Sequence, residues 1–599
     1  MARCLAFCVC FLVILLWPTS LRAQQSFNLS FEDLGSDPAK PKDWWTDTGV
    51  SLDSETAHSG RQSLRITSDG KNKAGWKAVR PLPVALIAGR RTRLTGFVKI
   101  DSASKGVACL ALTAENDSLK QDGLEVGQTL SPGLKKGWQR LSVELQPSLD
   151  ISNAYIEVRM EGAGTAWFDS LDLSIDDLPY AEAFRRRFGL LKAQELNWLT
   201  SHLSPLQTDD PDGKIDDLRP IRDIVGKARI VALGEGTHGT SEFFRMKHRL
   251  TRFLVNEMGF DYIAIELGMA DVKKLNDFIL GGTGDLDAKF RQMPAGLYSV
   301  QEILDLVRWL RETNARGKRK IQLCGMDIGR PTLPAENVRQ FISTRDRGYL
   351  HDVDHAYDRL DYFSPTMLCN QAQEVLDILE QRRASYLQEF SLEETDWVIQ
   401  NARLVRQYFG WVAPGRFSPT GRGYRARCMA DNLAWILDCA PNDAKIVIWA
   451  HNGHVSREPG EMGMHLAARF GKKMVVIGGT CHEGDYRAYS WPNGVLRDFT
   501  IDPSAEGSLE WRLHKLGVSR AILDLRGVSE KDIASAWLSS PISFRFLGSL
   551  GRNEPKNQFK TSRIASDFDA IFFVNKSTPS RMAQGNTVPS TSSQLFRTE

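Results

Sequence analysis

Long apolar runs are missing after Trp17: no later segment of this 599-residue chain approaches the ~20 consecutive apolar residues that a spanning helix needs. Blocks of a single charge are missing too. The 76 basic and 73 acidic residues leave a net charge of +3, so evenly spread that no polybasic stripe argues for nucleic acid, and that class of partner is excluded. Cysteine is sparse. Beyond Cys4, Cys8 and Cys10 in the first apolar run, Cys109, Cys324, Cys369, Cys428, Cys439 and Cys481 form no CxxC or other metal spacing. Buried thiols are the expectation, with one bridge open to formation after export. Neither the GxSxG nucleophile elbow nor HExxH occurs, which removes the usual serine hydrolase and zincin signatures.

What is present begins with Arg3, the run CLAFCVCFLVILLW and a small residue, Ala23, before a polar start. That pattern is a secretory signal peptide over residues 1–23, and the mature protein is expected to be secreted or periplasmic with no membrane span. From 26 to 178, short alternating runs such as RLSVELQ and AYIEVRM lie between Gly, Asp and Pro turns. Period two in run after run predicts an all-β, antiparallel sandwich. Its NLSFED, HSGRQSLRI and AWFDSLDLSI segments resemble jelly-roll carbohydrate-binding modules of the galactose-binding-like class, and that resemblance implies a glycan partner.

The period turns helical at YAEAFRRRFGLLKAQELNWLTSHL, and then apolar strands alternate with helical stretches: ARIVAL, DYIAIE, IQLCGMD, AKIVIWA, MVVIGG, RAILDL and DAIFFV. Continuous Val/Ile/Leu strands of this kind predict an α/β domain over 188–575, with a mainly parallel sheet covered by helices on both faces. The polar stretch 576–599 reads as a disordered tail.

Two stretches of this domain match position for position: ARIVALGEGTHG from Ala228 and AKIVIWAHNGHV from Ala444. The match sets His451 opposite Glu235 and His454 opposite His238. If each is a strand with its loop on one sheet edge, these four polar groups converge there. GEGTHG also satisfies the dinucleotide pattern, but Glu235 would face a pyrophosphate with like charge and His238 fills a place that should be small. The following helix, with Thr240 or Ser241 as N-cap and Gly259 as stop, carries Lys247 on its apolar stripe. A cation there needs an anion, and the strand ends offer Glu235 and Glu266. Asp327 ends its strand in the same way.

Two chemistries remain open from these residues. In one, a histidine activates water directly without a cofactor. In the other, Glu235, His238, His451 and His454 hold a divalent metal such as zinc or iron. A non-enzymatic sugar-binding protein of the cell envelope is the third reading.

LGEGTHGTSEFFRMKHRLTRFLVNEMGFDYIAIE, GMD at Gly325 to Asp327, RARCMADNL from Arg425, WAHNGHVSR and DAIFFVNKSTPSR resemble, in order, the erythromycin esterase family. The resemblance spans roughly Phe188 to Arg581 and does not cover the sandwich. It implies an α/β core with helical additions and hydrolysis of an ester or lactone, with His238 as general base. Glu235 and Glu266 fall on the family's carboxylates, and His451 and His454 on its second histidine motif, where the substrate would bind. Lys247 stands where macrolide-cleaving members carry arginine, a departure that alters how an oxygen can be held.

Overall fold

The computed structural model describes residues 28–583, apart from 35–37, 43, 72–75, 83, 116–123, 132–136, 150, 152, 189–191, 292, 294–295, 358–363, 491–493 and 552–557. The signal-peptide reading over 1–23 lies outside the described residues. The chain divides into two compact units between residues 190 and 191.

The first unit is a sandwich of two antiparallel sheets. One runs in the order Trp45–Thr46, Trp76–Pro81, Asn153–Glu161, Val107–Glu115, Leu124–Leu130. The other runs Val50–Asp53, Ser63–Asp69, Ala163–Ile175, Thr92–Ile100, Gln139–Leu145, with Leu178–Pro179 paired to Ala163–Ile175. Strict alternation of buried and part-exposed residues along Thr92–Ile100 puts Leu94, Val98 and Ile100 into the core. That pattern is what one solvated face per sheet demands.

The second unit is built on a nine-stranded sheet: β1 (Leu203–Pro205), β2 (Ile230–Leu233), β3 (Tyr262–Gly268), β4 (Gln322–Asp327), β5 (Ile446–Trp449), β6 (Met474–Tyr489), β7 (Leu496–Ile501), β8 (Arg520–Asp524) and β9 (Ala570–Ser577). Their order is β1-β8-β9-β6-β2-β5-β3-β4, with β7 on β6. The central pairings from β9 to β4 are parallel, and β1, β7 and β8 pair antiparallel. The strands read as unbroken apolar runs because both faces are covered. Ile230 and Ala232 of β2 join one core with Ile446 and Ile448, whereas Val231 and Leu233 join another with Val447 and Trp449. One cover is α1 (Ser241–Met258). Four more helices are α2 (Pro365–Glu389), α3 (Leu392–Val412), α4 (Pro419–Cys439) and α5 (Met462–Phe470). Here α2 and α3 pack about their own core of Leu376, Leu379, Val398 and Val405.

Several expectations change. The six cysteines from Cys109 to Cys481 are free thiols as expected, but only Cys109, Cys428 and Cys481 are buried, and Cys439 is exposed. The segment after Lys576 is ordered to Ala583: β9 continues to Ser577, Pro579 bridges Thr240, and Met582 bridges Val300. Its polar composition is satisfied by Glu242, whose carboxylate accepts from the Thr578 N–H and hydroxyl, and by Glu302, which accepts from Arg581. Residues 584–599 lie outside the described residues. Thr240 occupies the N-cap of α1 without a side-chain cap bond, and Ser241 donates to Glu302 instead. Gly259 does end the helix, in the left-handed conformation. Among the described residues, no helix is long and apolar enough to cross a membrane.

Candidate active site

The two matched stretches lie on neighbouring strands in the same register as their sequence alignment. β2 and β5 pair in parallel with Ile230 opposite Ile446 and Leu233 opposite Trp449. The loops that follow therefore leave the sheet side by side at its carboxyl edge, where open α/β sheets bind ligands. Asn452 ties them down. Its backbone N–H donates to the Glu235 carbonyl, and its side chain exchanges two hydrogen bonds with the Gly479 backbone at the end of the neighbouring run of β6, at 2.8 and 3.0 Å. Gly239 is needed because a Cβ there would sit 1.7 Å from the Arg487 carbonyl oxygen.

Glu235 is wholly buried and receives three groups. Its Oε1 accepts from Nδ1–H of His238 at 3.0 Å and from the Tyr298 hydroxyl at 3.1 Å. Its Oε2 is in contact with the Lys247 ammonium. Lys247 has no solvent exposure and lies between the rings of Phe244 and Trp449, at 5.6 and 5.0 Å. Trp449 in turn donates to Thr251 of α1 at 2.9 Å, which fixes the helix over the sheet. Burial holds the Lys247 ammonium well below its usual range, against the pull of the Glu266 carboxylate.

Glu266 heads a second group. Its Oε2 accepts the His451 backbone N–H at 3.0 Å, and its Oε1 meets Nε2 of His454 at 3.1 Å and Arg425 at 3.2 Å. Burial works against its charge, yet His454, His238 and Arg425 together hold the carboxyl well below the usual carboxylate range. His454 moves the other way: burial opposes its proton, but Glu266 and Glu461 raise it to about 9. It is therefore an imidazolium at neutral pH, and its 3.1 Å approach to Arg425 is one cation beside another, both held by Glu266. Arg425 is fixed by a two-point contact with Asp327 at 3.0 and 2.6 Å.

The rings of His238 and His451 lie 5.1 Å apart. Burial, with the positive charges of His454 and Arg425, keeps His238 below the ordinary histidine range despite Glu266. With its proton on Nδ1 for Glu235, the neutral ring presents the Nε2 lone pair. His451 is neutral as well, held well below its usual range by burial and by His238. Its Nδ1 accepts from the Gly453 N–H at 3.1 Å, which puts the proton on Nε2.

The six singled-out residues thus divide. Glu235, His238 and Lys247 form one linked set and Glu266 and His454 another, with His451 bridging through its ring and its N–H. Lys247 pairs with Glu235, whereas Glu266 is met by Arg425 of α4 and by His454. Arg425 and Tyr298 were not singled out in the sequence. A signal existed for Arg425: it stands one turn before Met429, Asn432 and Ile436, buried residues on the same face of α4, although it is itself part-exposed. Tyr298 follows a short turn and carries no pattern. The CysHis pair at 481–482 is not a dyad. Burial raises the Cys481 thiol to about 11, and the His482 ring hydrogen bonds to Ser504.

Both oxygens of Glu235 are engaged, one of them by the Lys247 ammonium. Among the described residues, no group of three or more His, Cys, Asp or Glu side chains has a cation-binding arrangement.

The buried Glu235–His238 pair, with the Glu266, His454 and Arg425 cluster beside it, thus stands at the carboxyl edge of the parallel sheet, where open α/β sheets hold ligands. The family model described as Erythromycin esterase matches residues 255–577, more than half of the chain, and this protein belongs to that family of ester-bond hydrolases. It is 27% identical over 429 residues to an Escherichia coli erythromycin esterase type II, covering 64% of this chain and 98% of that one. A putative hydrolase of Bacillus subtilis (strain 168) is 23% identical over 64% of this chain and 91% of its own. A solved Bacillus cereus protein superposes with a TM-score of 0.58 at 27% identity, over 65% of this chain and 99% of that one.

Proposed function

We propose that this protein is an exported hydrolase of a carboxylic ester or lactone in which Nε2 of His238 takes the proton of the attacking water. The observation that carries this reading is the Nδ1–H to Glu235 contact at 3.0 Å, which fixes the tautomer and leaves the base nitrogen of a neutral imidazole free. Lys247 and Tyr298 keep Glu235 from turning away. As water attacks the carbonyl, negative charge grows on its oxygen. The part-exposed cations His454 and Arg425, which lie close enough to His238 to act on its charge, would favour that negative charge. The proton on His238 then passes to the departing alkoxide, which leaves an alcohol and a carboxylic acid that gives its proton to solvent. This reading routes no step through a metal.

The export pattern at the N-terminus and the β-sandwich favour an extracellular substrate with a sugar component, such as a carbohydrate ester or a glycosylated lactone, with the sandwich holding glycan. The test is hydrolysis by the purified full chain across macrolides, sugar esters and simple lactones, run beside His238→Ala. Turnover of one class that vanishes in the variant supports the proposal; equal turnover by both proteins removes it.

A further inference from the structure

Residues 578–583, which follow β9, lie between the two segments that meet at Glu235. On one side the Thr578 carbonyl accepts from the Ser241 N–H at 2.9 Å, and the Ser580 N–H donates to the Gly239 carbonyl at 2.8 Å. On the other side the Arg581 carbonyl accepts from the Gln301 N–H at 2.7 Å, and the Ala583 N–H donates to the Ser299 carbonyl at 3.3 Å. This segment is therefore a strap between the loop that carries Glu235 and His238 and the short turn Gly296–Tyr298.

One buried carboxylate gathers all three pieces. Glu302, 2% exposed, stands in the first turn of the helix Gln301–Arg316, just after Tyr298. Its Oε1 accepts from the Ser241 hydroxyl at 2.7 Å and from Nε of Arg581 at 3.2 Å. Both of its oxygens also accept from the Arg581 N–H at 3.2 Å. A carboxylate desolvated this far is held by its donors, and they come from α1 and from the strap. The 235–241 loop is thus tied to the 298–302 segment at two points: the Tyr298 hydroxyl donates to Glu235 at 3.1 Å, and Ser241 donates to Glu302.

We propose that Glu302 is a positioning residue of the esterase site, clamping the C-terminal strap and α1 against the Tyr298 turn so that the Tyr298 hydroxyl stays on Glu235. The proposal rests on the reading of His238 as the base that Glu235 orients. Without the Tyr298 hydrogen bond, more of the Glu235 charge falls on its contact with His238, which favours the imidazolium. The other charged or titratable groups around His238, namely Glu266, His451, His454 and Arg425, make no contact with Glu302 and keep their own partners.

The test compares the full-length wild type with Tyr298→Phe, Glu302→Gln and the double variant. Two quantities are followed against pH: kcat/KM for an ester that the wild type hydrolyses, and the rate at which diethyl pyrocarbonate modifies His238, read on its peptide by mass spectrometry. The reagent acylates only the unprotonated ring, so this rate titrates His238 without any substrate. Tyr298→Phe is expected to move the acid limb and the modification midpoint up by roughly 0.5–1 pH unit, the size of one hydrogen bond. Glu302→Gln should move both in the same direction. The double variant should go no further than Tyr298→Phe, because Glu302 acts through Tyr298. Unchanged midpoints in either folded single variant overturn the proposal, even where stability to urea falls, and so do shifts that add in the double variant. Should Glu302→Gln fail to fold, Ser241→Ala removes the α1 side of the clamp alone, and an absent shift there is the overturning result. Full turnover by His238→Ala would remove the base reading instead, and the modification midpoints would still decide whether Glu302 keeps Tyr298 on Glu235.

Discussion

Glu266, on β3, and His454, in the helical turn Asn452–Val455 that follows β5, meet at 3.1 Å, and each holds the other in its charged form. The carboxyl is held well below its usual range and the imidazole is raised to about 9. The pair stays ionised across the physiological range, while His238 in the same cluster is held below the ordinary histidine range and is neutral there.

That division sets the pH dependence. A base held below the ordinary histidine value is already unprotonated at neutral pH, so kcat/KM should fall only on an acid limb below about 6.5. On the alkaline side, His454 loses its proton near 9, and activity should fall there. For stability the signs are separate. The contribution of His454, whose folded value is raised, is complete below about 6.5 and is lost as pH rises through 9. That of Glu266, whose folded value is depressed, is complete above the usual carboxylate range and is lost as pH falls through its folded value. A pH–rate profile on the wild type, with His454→Gln lacking the alkaline limb, checks the assignment. An unchanged limb in that variant contradicts it.

Removal of the base should cost most of the rate. His238→Ala is expected to lower kcat by roughly 10²–10⁴ with little change in melting temperature, since the ring is partly exposed and touches the core at its edge. Rate measurements on both proteins at pH 7.5, with melting curves alongside, decide this. A variant within a factor of about two of wild type refutes the role.

Lys247 is tested through its partner. Lys247→Met leaves Glu235 buried and without its cation, which should destabilise the fold by roughly 3–5 kcal/mol. Adding Glu235→Gln removes the stranded charge and should recover part of that loss. Urea unfolding of the two single variants and the double gives the coupling directly. Additive losses would mean that the contact is not the basis of the stability.

Arg425 spans Asp327, Glu266 and His454, and only a planar fork reaches both oxygens of Asp327. Arg425→Lys keeps the charge, so kcat/KM should fall about 10–100-fold while folding survives. Arg425→Gln should fall further and lose stability. Steady-state kinetics distinguish the two, and a lysine variant at full activity would show that the two-point contact is dispensable.

Asn452 has both side-chain atoms on the Gly479 backbone. Asn452→Ala leaves a buried N–H and a buried carbonyl unpaired, at about 1–3 kcal/mol each. A lowered melting temperature together with a lowered kcat is expected, because the same residue holds the Glu235 and His451 loops together.

By itself, the sequence determined the pieces. Apolar strands without alternation announced a sheet covered on both faces, the period-two runs announced a sandwich, and twelve aligned residues anticipated the pairing in which Ile230 faces Ile446. It also marked Glu235, Glu266, His238, His451 and His454 as polar groups ending apolar strands. Only the tertiary structure decided how these charges divide: Glu235 to Lys247, and Glu266 to His454 and Arg425. It also brought in Tyr298, and it ordered residues 576–583 through contacts with Glu242 and Glu302. The physical reason is range. Periodicity and turn chemistry are local, whereas an ion pair in a low-dielectric interior is settled by which charges the packed helices bring within a few ångströms, and that is written in no single stretch of the chain.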